Sequence, residues 1–181
     1  MAAKERTRNA ITDAFNELIR TVPFKKISVD MIAEKADIGR ATFYRYFRDK
    51  YDVMNDNYTR LLNSCSELEH VTGFHKLYIE LFKAARASFW VSIRASFKSD
   101  GYNSFKNFIA KESYAYAERV VRKNRSGNGL TEAENLQLNV FVYGISHVYE
   151  DWTFKKINMT PEEAADALFA VMPESIRDYP L

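Results

Sequence analysis

Four basic side chains, Arg40, Arg45, Arg48 and Lys50, stand between positions 40 and 50 against a single acid, Asp49. On a chain with a net charge of only +2, such a cluster is a local footprint for phosphate. On charge alone it is equally an ordinary solvated helix face. Two other polar residues fall on patterns that invite attention. Glu112 shares a helical stripe with Phe105, Phe108, Ile109 and Tyr116, where a carboxylate needs a partner or a cationic ligand. His147 lies between Tyr143 and Asp151 at helical spacing. A satisfied structural pair or an exposed face accounts for both more simply. Catalytic chemistry finds no foothold. The histidines (His70, His75, His147) and the single cysteine, Cys65, have no metal-ligand spacing, and there is no glycine-rich phosphate loop or nucleophile motif. No enzymatic activity, metal or cofactor is therefore expected.

The basic cluster needs a scaffold, and hydrophobic periodicity supplies one. Ile11, Ala14, Phe15, Leu18, Ile19 and Val22 recur at i, i+3, i+4, i+7, i+8 and i+11, one apolar stripe on a first helix that Pro23 stops. After a link through Phe24, Lys25 and Lys26, Ser28 is placed to cap a short second helix over Val29–Ala36. Asp30 in its first turn favours the helix dipole, and Ile32 and Ala33 face inward. Asp37 then suits a tight turn, because Asp tolerates the left-handed backbone better than most non-glycine residues. The third helix begins near Gly39 and runs through Arg40–Phe47. Phe43 and Phe47, four apart, pin one side to a core, while Arg40, Ala41, Tyr44 and Arg45 project from the other. Three helices with a short turn between the second and third predict a helix-turn-helix, the last helix of which enters the major groove of DNA.

Further along, apolar stripes predict helices over about Asp49–Glu69, Phe74–Lys98 (whole or broken in two), Asn103–Lys123, Thr131–Ile157 and Thr160–Met172. The last opens on Thr160-Pro161-Glu162-Glu163, a capping box with proline at the first helical position, and Pro173 closes it. Six glycines and four prolines in 181 residues suit an all-α fold, and 46% hydrophobic residues suffice for a real core. The expected organisation is a DNA-binding head over 1–50 and a helical regulatory and dimerisation domain over 51–181. Residues 1–60 carry 12 Lys/Arg against 9 Asp/Glu, and the remainder 14 against 15, so the small positive excess sits in the head. No run approaches the roughly 18 apolar residues of a membrane span. The opening MAAKERTRNA has no signal-like apolar region, and the lone Cys65 fits a reducing compartment. A cytoplasmic protein without a membrane partner is expected.

The run Ser28–Lys50, above all Thr42-Phe-Tyr-Arg-Tyr-Phe47 followed by Asp49-Lys50, resembles the DNA-binding signature of the TetR family of bacterial repressors. The resemblance covers about residues 8–53. It implies that Arg40, Ala41 and Tyr44 touch base edges, and that Ser28, Val29, Thr42, Arg45, Tyr46 and Lys50 touch backbone phosphates. An arginine there can take the O6 and N7 acceptors of guanine, while Tyr hydroxyls and a lysine fix register without reading sequence. Two residues depart from the family pattern: Asp37 stands where glycine is usual, and Gly39 where serine or threonine is usual. The second removes a hydroxyl and weakens the cap of the recognition helix.

Over the rest of the chain the resemblance is architectural. The segment Tyr143–Trp152 with Thr160–Glu163 is similar to a subgroup in which the last two helices form a dimer interface. This implies contacts through Val140, Ile145, Val148, Trp152, Leu168, Phe169 and Met172 and a palindromic operator. The resemblance also implies a repressor released by a small apolar or aromatic ligand. Tyr78, Phe82, Trp90, Phe108, Glu112 and Phe141 are the candidate pocket, although such aromatic stripes are more often plain core. The alternative is a regulator or activator controlled by a protein partner, with no small-molecule pocket. A well-formed internal cavity would favour the first reading and a packed interior the second.

Overall fold

The computed structural model describes residues 2–86, 90–98 and 104–181. In chain order they form α1 (Ala2–Thr21), a 3-10 turn (Phe24–Lys26), α2 (Val29–Lys35), α3 (Arg40–Tyr44), α4 (Lys50–Ser66), α5 (Phe74–Arg86), α6 (Trp90–Ser96), α7 (Phe105–Asn124), α8 (Glu132–Thr153), α9 (Pro161–Val171) and α10 (Glu174–Arg177). The described residues are all-α, with no strand. They fall into two compact units: residues 1–58 with 91–105, and residues 59–90 with 106–181.

In the first unit, α1 turns Ile11, Phe15 and Ile19 into a core that takes Phe24, Ile27, Ile32, Phe43, Phe47, Val53 and Met54 from the segments that follow. Phe24 is held edge-on by Phe15 and Tyr51, at 6.4 and 5.1 Å between ring centres. Polar pins join α1 to α4. Arg8 Nη2 lies 2.5 Å from Asp56 Oδ1, with the guanidinium 4.7 Å above the Phe47 ring, and Asn57 Nδ2 donates to Asn16 Oδ1 at 2.8 Å. Ser28 caps α2, its Oγ accepting the Met31 N–H at 3.2 Å. Gly39 stands at the N-cap of α3 and brings no side-chain hydrogen bond.

The turn between α2 and α3 is a Schellman motif. The Ile38 N–H returns to the Ala33 carbonyl at 3.0 Å and the Asp37 N–H to that of Glu34 at 3.1 Å, with Asp37 in the left-handed region at φ 52°. Glycine occupies that region without the steric penalty of a Cβ. Asp37→Gly is therefore expected to raise stability by about 0.5–1 kcal/mol, and Asp37→Val to lower it by at least as much. Chemical denaturation of the three proteins checks the order.

The recognition helix is shorter than Arg40–Phe47. After Tyr44 i→i−3 bonds enter: the Arg45 N–H reaches the Thr42 carbonyl at 3.2 Å and the Tyr46 N–H that of Phe43 at 2.9 Å, while the Phe47 N–H shares the Phe43 carbonyl at 3.0 Å. The tightened turn keeps Phe47 in the core, as the period requires.

In the second unit α5 packs on α9; α5 buries Phe74, Leu77, Leu81, Phe82 and Ala85, and α9 buries Ala164, Ala165 and Leu168. α8 contributes Leu138, Val142 and Tyr149, whose hydroxyl donates to the Leu81 carbonyl at 3.3 Å. Capping boxes at Thr131–Glu134 and Thr160–Glu163 start α8 and α9. α8 stops at Thr153, short of the expected Ile157, through another Schellman turn. Lys155 takes φ 58°, and the Lys156 N–H bonds back to the Asp151 carbonyl at 2.9 Å. Arg125 ties the last segment in place with a bidentate pair to Glu134 (2.6 and 2.9 Å) and an Nε bond to the Tyr179 hydroxyl at 2.8 Å. The arginine beside it, and then the Thr131 N–H, hold the Glu134 carboxyl well below the usual carboxylate range.

Candidate nucleic-acid interface

The first unit presents one face on which polar side chains from α2 and α3 stand out of the core. Phe43 and Phe47 anchor the inner side at 0% and 2% exposure. Arg40, Ala41, Tyr44 and Arg45 are exposed, and Thr42 and Tyr46 are half-buried. Ser28 is exposed at the head of α2, and its hydroxyl hydrogen remains a donor while the oxygen serves as the cap. Val29 opens the same helix, where backbone N–H groups lack intrahelical acceptors. The structure thus brings eight of the nine expected DNA-contacting residues to the rim of one helix pair. An α-helix carrying a guanidinium and hydroxyl groups outward, on a rigid aromatic base, can enter a major groove and present donors to base edges.

Two members of the set already have partners. Arg40 Nη1 donates to both carboxylate oxygens of Asp30, at 2.6 and 2.8 Å, and Nη2 donates to the Tyr44 hydroxyl at 3.1 Å. The Asp30 bond first, then Tyr44, raises the guanidinium pKa above its ordinary value. Asp30 is a participant that periodicity reads only as a first-turn acid. Lys50 is the ninth residue. Its Nζ donates to the carbonyls of Phe24 (2.8 Å), Lys25 (3.2 Å) and Ile27 (2.8 Å), and lies 4.8 Å from the centre of the Phe24 ring. Burial lowers its pKa from the ordinary lysine value.

A second feature belongs to the other unit. α8 and α9 border an open apolar groove of about 870 Å³ whose lining includes Leu136, Val140, Gly144, Val148, Leu168 and Val171. Leu136, Val140 and Val171 are each about two-thirds exposed, at 67%, 68% and 68%, an unusual state for large aliphatic side chains that adjoin one another. Ile145, Leu168 and Met172 form the buried floor. Trp152 and Phe169 point elsewhere: Trp152 packs on Phe82 at 4.8 Å between ring centres, and Phe169 sits 5.3 Å from the His75 ring. Leu136 and Val171 belong to the groove and are absent from the expected set. Leu136, Val140 and Tyr143 do recur at i, i+4 and i+7, a stripe distinct from the one that faces the core.

Three of the candidate ligand residues, Tyr78, Phe82 and Phe141, pack against neighbouring rings. Phe82 is buried between Tyr149 and Trp152, and Tyr78 and Phe141 meet at 6.4 Å between ring centres. The cavity that Tyr78 and Phe141 border, with Leu77, Tyr116 and Met172, measures about 20 Å³. That is room for roughly one water. Glu112 is half-buried with Arg119 at 3.9 Å, and Phe108 is half-buried on the same helix. The Trp90 side chain lies outside the described residues. His147 is exposed, with Nδ1 3.0 Å from the Tyr143 carbonyl. Among the described residues no group of three His, Cys, Asp or Glu could hold a metal ion, and no helix is long and apolar enough to cross a membrane.

Comparison with known proteins agrees with this geometry. Residues 11–56 match the family model described as bacterial regulatory proteins, tetR family, and residues 91–174 match a transcriptional regulator C-terminal region. Together these matches span well over half of the chain. A comparison with curated protein sequences found no match. Among solved structures, the chain is similar to a TetR transcriptional regulator from Streptococcus agalactiae 2603V (TM-score 0.61, 18% identity, 95% of this chain and 97% of that one). It is also similar to the dihydroxyacetone kinase operon activator DhaS (TM-score 0.60, 18% identity, 97% and 98%). A third is NalD of Pseudomonas aeruginosa, described as the secondary repressor of a multidrug efflux pump (TM-score 0.52, 17% identity, 98% and 99%). At these identities the neighbours establish the fold.

Proposed function

The chain belongs to the TetR family of bacterial transcriptional regulators, and we propose that it acts as a cytoplasmic homodimer on a palindromic operator. It is a DNA-binding transcription factor, not an enzyme. The observation that carries the proposal is the exposed face of α2 and α3, with Arg40, Ala41 and Tyr44 outermost on an aromatic base. Base reading falls to these three. Phosphate contacts fall to Ser28, Val29, Thr42, Arg45 and Tyr46, with Lys50 holding the frame behind them. The head corresponds to about residues 1–50, and the rest serves regulation and dimerisation. The groove of α8 and α9 supports the dimer, because two copies facing each other there would build a four-helix bundle and cover Leu136, Val140 and Val171. Repression by occupancy is the simplest mode open to such a dimer.

Control of the dimer has two readings. Release by a small apolar or aromatic ligand bound beside Tyr78 and Phe141 requires the 20 Å³ space there to open severalfold, since drug-sized pockets run to about 300–1,000 Å³. Among the described residues, the close packing around Tyr78, Phe82 and Phe141 weighs toward the second reading at that site, a repressor or activator controlled by a protein partner.

Selection of bound duplexes from a random pool tests the core of the proposal. The expected product is a palindrome with half-sites about 34–36 Å apart, and recovery of no palindromic motif at moderate salt overturns it. Challenging the selected complex with a metabolite library then separates the two modes of control: release by a small molecule supports the first and indifference the second.

A further inference from the structure

Asp30 and Arg40 lie ten residues apart, on opposite sides of the helix-turn-helix turn, yet both Asp30 oxygens converge on one guanidinium nitrogen. Arg40 Nη1 is committed to the carboxylate, and Nη2 gives one N–H to the Tyr44 hydroxyl. Of the five guanidinium donors, Nε–H and one Nη2–H remain, on nitrogens bonded to the same carbon. Two such donors are what the O6 and N7 acceptors of guanine require. We infer that Asp30 is a specificity-determining residue: it positions Arg40 for a guanine edge and withholds its charge from the phosphates of unrelated DNA. The inference rests on the DNA-binding reading above.

Magnitudes decide why this arrangement discriminates. The Asp30 and Arg40 side chains are mostly exposed, at 64% and 60%. A solvated pair of this kind changes an equilibrium by up to roughly fivefold. A bidentate arginine–guanine contact discriminates by roughly five- to 150-fold. The guanine edge therefore outweighs the pair, whether or not Asp30 is retained as a second partner. A phosphate on unrelated DNA offers Arg40 only another solvated ion pair, similar to the one it already has. Tyr44 adds rigidity, with the guanidinium 5.5 Å from its ring centre, so the reader arrives with less rotamer freedom to lose.

The test is a double-mutant cycle of Asp30→Asn and Arg40→Met in the full chain. Binding is measured on the selected operator and on a scrambled duplex of equal length, between about 50 and 200 mM salt. Asp30→Asn is expected to bind the scrambled duplex several-fold more tightly at low salt. Its log K against log salt should steepen by about 0.9 for each Arg40 freed. The operator-to-scrambled ratio is expected to fall roughly tenfold, with the loss of preference confined to one guanine position per half-site. In the Arg40→Met background the same substitution is expected to change neither duplex. An equal gain on both duplexes that persists in Arg40→Met would mean that Asp30 merely repels phosphate, and this overturns the inference, as does no change on either duplex. Failure of the unsubstituted protein to distinguish operator from scrambled DNA is a separate result that overturns the DNA-binding reading itself.

Discussion

Placing a glutamate at Val140 is expected to convert the proposed dimer to a monomer and to lower affinity for the proposed full palindrome by about a thousandfold, the equivalent of about 4 kcal/mol. Val140 is 68% exposed, so the new carboxylate meets no steric objection within one chain. In a two-fold symmetric interface each substitution acts twice, because the same patch meets itself. Removing an ionised carboxylate from water without a partner costs several kcal/mol, and two per dimer exceed what neighbouring aliphatic contacts return. Monomers must then occupy the two half-sites independently, and the effective concentration that linkage provides is lost. Single half-site affinity should change little, since Val140 lies in the second unit and the reading face in the first. Sedimentation together with binding to full and half operators checks both halves of the expectation. Val171→Glu, on α9, should behave alike. A dimer with undiminished full-site affinity in both variants would refute the groove as the interface.

What can be read in the linear sequence and what cannot divides along the range of the interaction involved. Ser28, Asp37 and the Thr160–Glu163 box act within four residues of themselves, and the structure places them as periodicity and capping rules require. The box at Thr131–Glu134 has the same local form. The end of α8 is local as well, but its left-handed residue is Lys155, an exposed lysine whose type carries no preference for that conformation. The Arg40–Asp30 pair joins residues across a turn, and the Lys50 clamp joins residues 23 to 26 apart. Neither has a sequence pattern of its own. The aromatic stripe is ambiguous for another reason. Tyr78, Phe82 and Phe141 have the composition of a pocket wall and of a core alike, and the difference is a volume, which depends on how closely α5 and α8 approach.

Lys50→Met is expected to cost about 1–3 kcal/mol of stability while leaving the salt slope of DNA binding unchanged. An ammonium has three N–H donors, and those of Lys50 are spent on the carbonyls of Phe24, Lys25 and Ile27. These carbonyls close the 3-10 turn between α1 and α2, where a helical segment exposes the negative end of its dipole and welcomes a cation. Phe24 lies under the same ammonium and within the core, so the lysine fixes both the backbone and the ring from which α2 departs. Methionine keeps the apolar stem and removes every donor: the partly buried Ile27 carbonyl loses its ammonium at about 1–3 kcal/mol, while the Phe24 carbonyl keeps the Ile27 N–H at 3.2 Å and the exposed Lys25 carbonyl meets water. For a chain of this size the melting temperature should fall by roughly 2–12 °C. A lysine acting as a phosphate anchor would behave differently: its loss would flatten the dependence of log K on log salt by about 0.9 per contact, with little effect on melting. The family resemblance points to the anchor, and the geometry of three bonds to backbone carbonyls points to the clamp. Measuring the melting curve and the salt slope on one variant decides between them. A full-strength fold with a flattened slope would return Lys50 to the phosphate.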